Sequence, residues 1–130
     1  MALPVRDKYL IADTGNYLTV DPSTKVLKFD AATPGVWEEV EFLPSQDSRF
    51  LLTRFCAANL LLRVDTVLWL EKKFSEAVQL YDPASTDADS GWQQAEFSGH
   101  MIVYRGPDVH GRIGYTAAFR VVNKDGSDFH

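Results

Sequence analysis

The stretch Arg105-Gly106-Pro107-Asp108-Val109-His110-Gly111-Arg112 gathers two guanidinium groups, a carboxylate and an imidazole on a segment that Gly and Pro shape as a turn. A guanidinium presents a planar fork of donors, so Arg105 and Arg112, with Asp108 and His110 beside them, could clamp an anion or a carboxylate-bearing partner. The plainer reading is a polar hairpin loop. A second candidate is Trp69, which alternation points away from Leu68 and Leu70 and therefore toward solvent. An indole face turned to water stacks on sugar rings and anchors protein contacts; otherwise Trp69 covers one end of the fold. Trp37 and Trp92 read as structural.

The remaining reactive residue types form no constellation. His100, His110 and His130 have no helical or hairpin metal spacing, and the single cysteine completes no zinc pattern, so neither a metal site nor a cofactor is expected. Cys56 lies in the apolar run Leu51 to Ala58, with no histidine nearby to activate it, and reads as a small buried hydrophobe. The Asp-rich stretch Asp82 to Gly91 invites comparison with a calcium loop. With Asp87 as first ligand, however, Gly91 comes one position early and Ser98 stands where a bidentate Glu is needed, which leaves a solvated loop. Glu38 and Glu39 are adjacent, and on a strand they would face opposite ways, so paired-carboxylate catalysis has no support. No phosphate-binding Gly loop or nucleophile elbow occurs.

Composition bounds the partners. The chain of 130 residues carries 13 Lys and Arg against 18 Asp and Glu, a formal charge of -5. That balance disfavours nucleic acid and anionic membrane, both of which are held through basic surface. Residues 1 to 15 alternate apolar and charged positions, unlike a signal peptide, and no apolar run reaches membrane-spanning length. The expectation is one domain over 1–130, cytoplasmic or exported without a classical signal peptide, and monomeric or weakly homodimeric.

The elements that would position these residues repeat along the chain. Strands are predicted over Tyr9 to Asp13, Gly15 to Asp21, Val26 to Asp30 and Val36 to Pro44. A second copy runs through Phe50 to Arg54, Leu61 to Asp65, Val67 to Glu71 and Val78 to Pro83. A third, more divergent copy runs through Trp92 to Glu96, Gly99 to Arg105 and Phe119 to Val122. Turn sequences such as Thr14-Gly15-Asn16 and Lys124-Asp125-Gly126 separate them, and within Val26 to Asp30 the alternation turns Leu27 and Phe29 to one side and Lys28 to the other. Three units of about 40 residues closing on one another would bury a shared interior and remove exposed sheet edges, an all-β, β-trefoil barrel. The rival is an α+β fold with one helix near 66–81, where Val67, Leu70, Phe74, Ala77 or Val78, and Tyr81 recur at helical spacing.

Gly15-Asn16-Tyr17-Leu18-Thr19-Val20-Asp21, followed by Pro34-Gly35-Val36-Trp37-Glu38-Glu39-Val40-Glu41-Phe42, resembles the repeat of fascin-like β-trefoils. The likeness is closest in the first unit; the second carries Ala58-Asn59-Leu60-Leu61-Leu62 in place of the Gly-x-Tyr-Leu core. The resemblance implies a soluble binding scaffold of the kind that serves as actin-bundling module, lectin or protease inhibitor. The acidic balance disfavours actin bundling. None of the three tryptophans has Gln two positions before it, so the ricin-type sugar signature is absent. The leading expectation is a non-enzymatic module that binds a carbohydrate or protein ligand through Trp69 and the 105–112 loop. A protease inhibitor presenting loop 82–90 or 105–112 is the alternative, and a small-barrel enzyme using Arg105, Asp108 and His110 the third.

Overall fold

A computed structural model describes residues 3–44, 51–64, 68, 71, 73–82, 95–105 and 116–129. Ten strands account for most of them: β1 (Val5–Ile11), β2 (Tyr17–Val20), β3 (Leu27–Ala31), β4 (Glu39–Pro44), β5 (Leu51–Phe55), β6 (Leu60–Val64), β7 (Val78–Tyr81), β8 (Ala95–Ser98), β9 (Met101–Arg105) and β10 (Thr116–Val122). A helical turn, α1 (Phe74–Ala77), precedes β7. All strand pairs are antiparallel, and six strands join in a ring in chain order: β1 pairs β4, β4 pairs β5, β5 pairs β8, β8 pairs β9, β9 pairs β10 and β10 returns to β1. The protein is thus an all-β closed barrel of six strands with additional hairpins, β2–β3 and β6–β7.

Closure follows from side-chain alternation. Every second residue of a barrel strand points inward, and these positions carry Leu10, Phe42, Phe55, Ile102, Tyr104 and Val121, each at most 1% exposed. The intervening residues face out and include polar ones, as Arg54 and Arg120 illustrate. In β3 the expected pattern holds: Leu27 is buried, Lys28 exposed and Phe29 half-buried against the core. The expected turns also form. Gly15 adopts φ +89° and donates from its backbone to the Ala12 carbonyl at 2.9 Å, a left-handed conformation that glycine takes without a Cβ clash.

The phase of the repeats differs from the sequence expectation. Val78–Tyr81 pairs with Val64–Leu61, as β3 pairs with β2, so it is the third strand of its unit rather than a counterpart of Val40 to Pro44. Ala95–Ser98 closes the second unit against β5 instead of opening the third, and Met101–Arg105 opens the third instead of matching Gly15 to Asp21. The physical reason is that these strands are assigned by non-local pairing, which similarity of short apolar stretches does not encode. Of the helix expected near 66–81, the described residues show helix at Leu68 and in the turn α1, and it goes no further because Val78–Tyr81 satisfies its backbone on β6. Of the strand expected over Val67 to Glu71 only Leu68 and Glu71 are described, and they correct it: Leu68 is helical and Glu71 lies in a turn. No described helix is long and apolar enough to cross a membrane.

The β2–β3 tip supplies a pH probe. The Asp21 carboxylate accepts from the Ser23 and Thr24 backbone amides at 2.8 and 3.1 Å and pairs with Lys28 at 3.1 Å. The Thr24 amide, the Lys28 side chain and the Ser23 amide lower its pKa from 3.8 to about 2. A depressed folded-state pKa contributes stability above the unfolded value and loses it as pH falls through the folded one. Amide exchange at Ser23 and Thr24 is therefore expected to speed up, relative to the barrel strands, between about pH 4 and 2. Asp21→Asn should abolish that dependence; an unchanged profile in the variant would assign it to another group.

Candidate functional site

Strand direction divides the barrel into two ends. Because neighbours are antiparallel, β1, β5 and β9 finish, and β4, β8 and β10 begin, at the same end. All three long connections leave from this capped end: the β2–β3 hairpin, the β6–β7 hairpin and residues 106–115. Arg105 stands at the last position of β9, opposite Thr116, so its backbone opens the connection that carries the predicted polar loop. Asp108, His110, Arg112 and Trp69 lie outside the described residues, as does the 83–90 part of the proposed inhibitor loop. Of the predicted ligand-binding residues, the described part of the structure places Arg105 alone, through its backbone.

The opposite end holds the exposed turn at Gly99 and His100, whose carbonyl accepts from the Val121 amide at 2.7 Å. It is closed by aromatic rings. Phe97 meets Phe42 at a centroid distance of 4.9 Å and Phe129 at 5.0 Å, with the Lys8 ammonium 5.5 Å from the Phe129 centroid. The Asn123 to Ser127 turn folds this last segment back, and Arg120 pairs with Asp128 at 2.5 Å.

Between the ends the interior is filled by side chains. The one buried polar contact described there is between Thr53 and Tyr104, both 0% exposed, whose hydroxyls share a hydrogen bond of 2.6 Å. Burial pushes the Tyr104 phenol well above its ordinary range, which makes it a neutral structural group. Among the described residues no group of His, Cys, Asp and Glu could hold a metal ion.

The outer wall is where charge collects. Glu41 points outward from β4 yet is only 5% exposed, because Arg54 binds its carboxylate and Arg6 approaches at 3.5 Å. Cys56 follows β5 and is half-buried rather than buried, a correction to the sequence expectation; burial first and then Glu39 push its thiol up, opposite to what an activated nucleophile requires. Trp37 packs against the core with the Lys25 ammonium 4.6 Å from its ring centroid, in keeping with a structural role.

Sequence reasoning missed one arrangement. Tyr9 on β1 lies directly opposite Glu39 on β4, and the Cys56 amide donates to the Glu39 carbonyl at 3.1 Å. Glu38 precedes β4 in a turn, where its amide donates to the Gly35 carbonyl at 3.2 Å, so strand alternation does not separate it from Glu39. Asp7 sits at the bulge that shifts the β1–β4 register, with φ +59°. Burial, followed by the charges of Glu39, Asp7 and Glu38, raises the Tyr9 pKa, which places all three carboxylates in the field of one phenol. Only the cross-strand register reveals this cluster. No family model matches the chain, and neither a curated protein nor a solved structure matches it.

Proposed function

We propose that the chain is a non-enzymatic binding module of β-trefoil type that recognises a carbohydrate or protein ligand through surface side chains at its capped end. The observation that carries this reading is the filled barrel, whose interior is apolar among the described residues apart from the mutually satisfied Thr53–Tyr104 pair. A ligand is then met on the outside. The trefoil reading draws on the first two units, each a barrel strand, a hairpin and a second barrel strand, and on β9 and β10 as the two barrel strands of the third.

Trp69 and the Arg105, Asp108, His110 and Arg112 loop are the proposed contacts. A glycan array with the parent and Trp69→Ala tests the carbohydrate form: binding that falls at least about tenfold in the variant supports stacking. Binding indifferent to Trp69 would remove it. Replacing 105–112 by a Gly/Ser linker and assaying serine and cysteine proteases separates the inhibitor form, since inhibition lost with that loop would replace the glycan reading.

A further inference from the structure

The ring of six strands closes without residues 123–129. β10 meets β1 through Arg120, Val121 and Val122, but on its other side its pairing with β9 stops at Arg120 and Met101. Beyond that point the backbone of Val121 is shared. Its amide donates to the His100 carbonyl at 2.7 Å, and its carbonyl accepts from the Phe129 amide at 3.0 Å, while Val122 bridges Asp128. Residues 128–129 thus cover the short edge of β10 that β9 leaves bare. The turn that returns them is self-contained: the Asn123 amide donates to the Ser127 carbonyl at 2.8 Å, the Gly126 amide to the Asn123 carbonyl at 2.9 Å, and Asp125 accepts from the Ser127 amide at 2.9 Å. Those bonds lie within the segment and survive when it moves as one body.

Two side chains latch the segment to the barrel. Asp128 pairs with Arg120, with the two side chains 35% and 45% exposed, so water and salt screen the attraction. Phe129, half-buried, lies against Phe97 of β8 with Lys8 of β1 over its ring. The barrel strands are held quite differently, since each is hydrogen-bonded on both sides within a ring. A segment tied by few, partly exposed contacts opens at a lower free energy than the closed core beside it. We propose that residues 123–129 are a hinged strap that lifts as a unit from the uncapped end while the barrel stays closed, with Asp128 on Arg120 and Phe129 on Phe97 as its two latches. Lifting uncovers the outer face of the Phe97 ring together with the Val121–Val122 edge of β10, an aromatic surface beside free backbone groups that the closed strap hides. Phe42 stays enclosed, because β1 and β5 still flank it. The strap lies at the end opposite the one proposed to meet ligands, so the two proposals are tested independently.

Native-state hydrogen exchange of the full chain, followed by NMR over low urea concentrations, tests the strap. The Phe129 amide should be protected, yet exchange at least about tenfold faster than the ladder amides shared by β4 and β5, and with little dependence on urea, because lifting exposes little new surface. Arg120→Gln should speed exchange at position 129 by about threefold, the scale of a half-exposed ion pair, and Phe129→Ala by about tenfold. The β4–β5 ladder should be unchanged in both variants, which also reports that they fold. Raising salt to about 1 M should speed the Phe129 amide more in the parent than in Arg120→Gln. Exchange at Phe129 with the same rate and urea dependence as the ladder would show that the segment opens only with the whole barrel and would overturn the proposal. An unprotected Phe129 amide in the parent, position 129 unaffected by both substitutions, or a ladder accelerated as much as position 129 would overturn it too.

Discussion

Phe42→Ala will lower the free energy of unfolding by about 3–5 kcal/mol, the range for deleting a buried aromatic ring from a core that cannot collapse onto the void. Phe42 is 0% exposed on β4, and its ring meets Phe97 at an interplanar angle of 74°. Phe97 in turn carries Phe129, so one deletion loosens the whole aromatic closure of the uncapped end. Collapse is resisted because β4 is bonded on both sides, to β1 and to β5, within a ring that has no free edge. Denaturant unfolding followed by tryptophan fluorescence should show a lower midpoint at unchanged slope. Val26→Ala, at a residue 55% exposed, should stay within about 0.5 kcal/mol. A Phe42→Ala loss no larger than that of Val26→Ala would show that the barrel end is not packed as described.

The second large effect concerns the polar pair in the interior. Tyr104→Phe removes one hydroxyl and leaves Thr53 buried without its partner, which costs about 1–3 kcal/mol. Thr53→Val should cost a similar amount by stranding the phenol. The double variant is the informative one, because replacing both members by apolar groups of like shape removes the unsatisfied atom altogether. Its stability should be no lower than that of the worse single variant, a coupling within the range of about 0.5–3 kcal/mol typical of residues in contact. Strict additivity of the two single losses would show that the hydroxyls do not share a bond. The pair joins β5 to β9 across the barrel without lying on adjacent strands, so it also selects one closed arrangement over alternatives in which either hydroxyl meets only hydrocarbon.

Parts of this structure were legible in the residues, for identifiable reasons. The all-β class, the first unit's strands and the Gly15 turn rest on local signals: period-two alternation and residues that tolerate positive φ. The later units were harder to phase, because Val78–Tyr81 and Ala95–Ser98 are short apolar stretches whose identity depends on which strand they meet. The helical spacing from Phe74 to Tyr81 is real, but only one turn of it forms before pairing with β6 takes over. Of the site, the composition of the 105–112 loop was plain, and the place of Arg105 at the end of β9 followed once β9 and β10 were paired. The Tyr9 row was invisible, because Asp7, Tyr9, Glu38, Glu39 and Cys56 are brought together by a bulge, a turn and two strand registers rather than by spacing.

The ring is completed by β1 and β10, with Tyr9 against Val122, the earliest strand sealed by the latest. During synthesis, β1 to β9 therefore emerge before the final seam can form, and β1 must wait with one row of amides and carbonyls unpaired. Such a topology is dominated by contacts distant in sequence, and barrels of this kind fold on the slow side, in roughly milliseconds to seconds. Over that interval the exposed edge of β1 can be met by a strand of another chain as readily as by its own. The segment of β1 that β10 meets is short, Tyr9 to Ile11, and the polar Arg6, Asp7 and Lys8 that precede it limit that encounter before the barrel has closed.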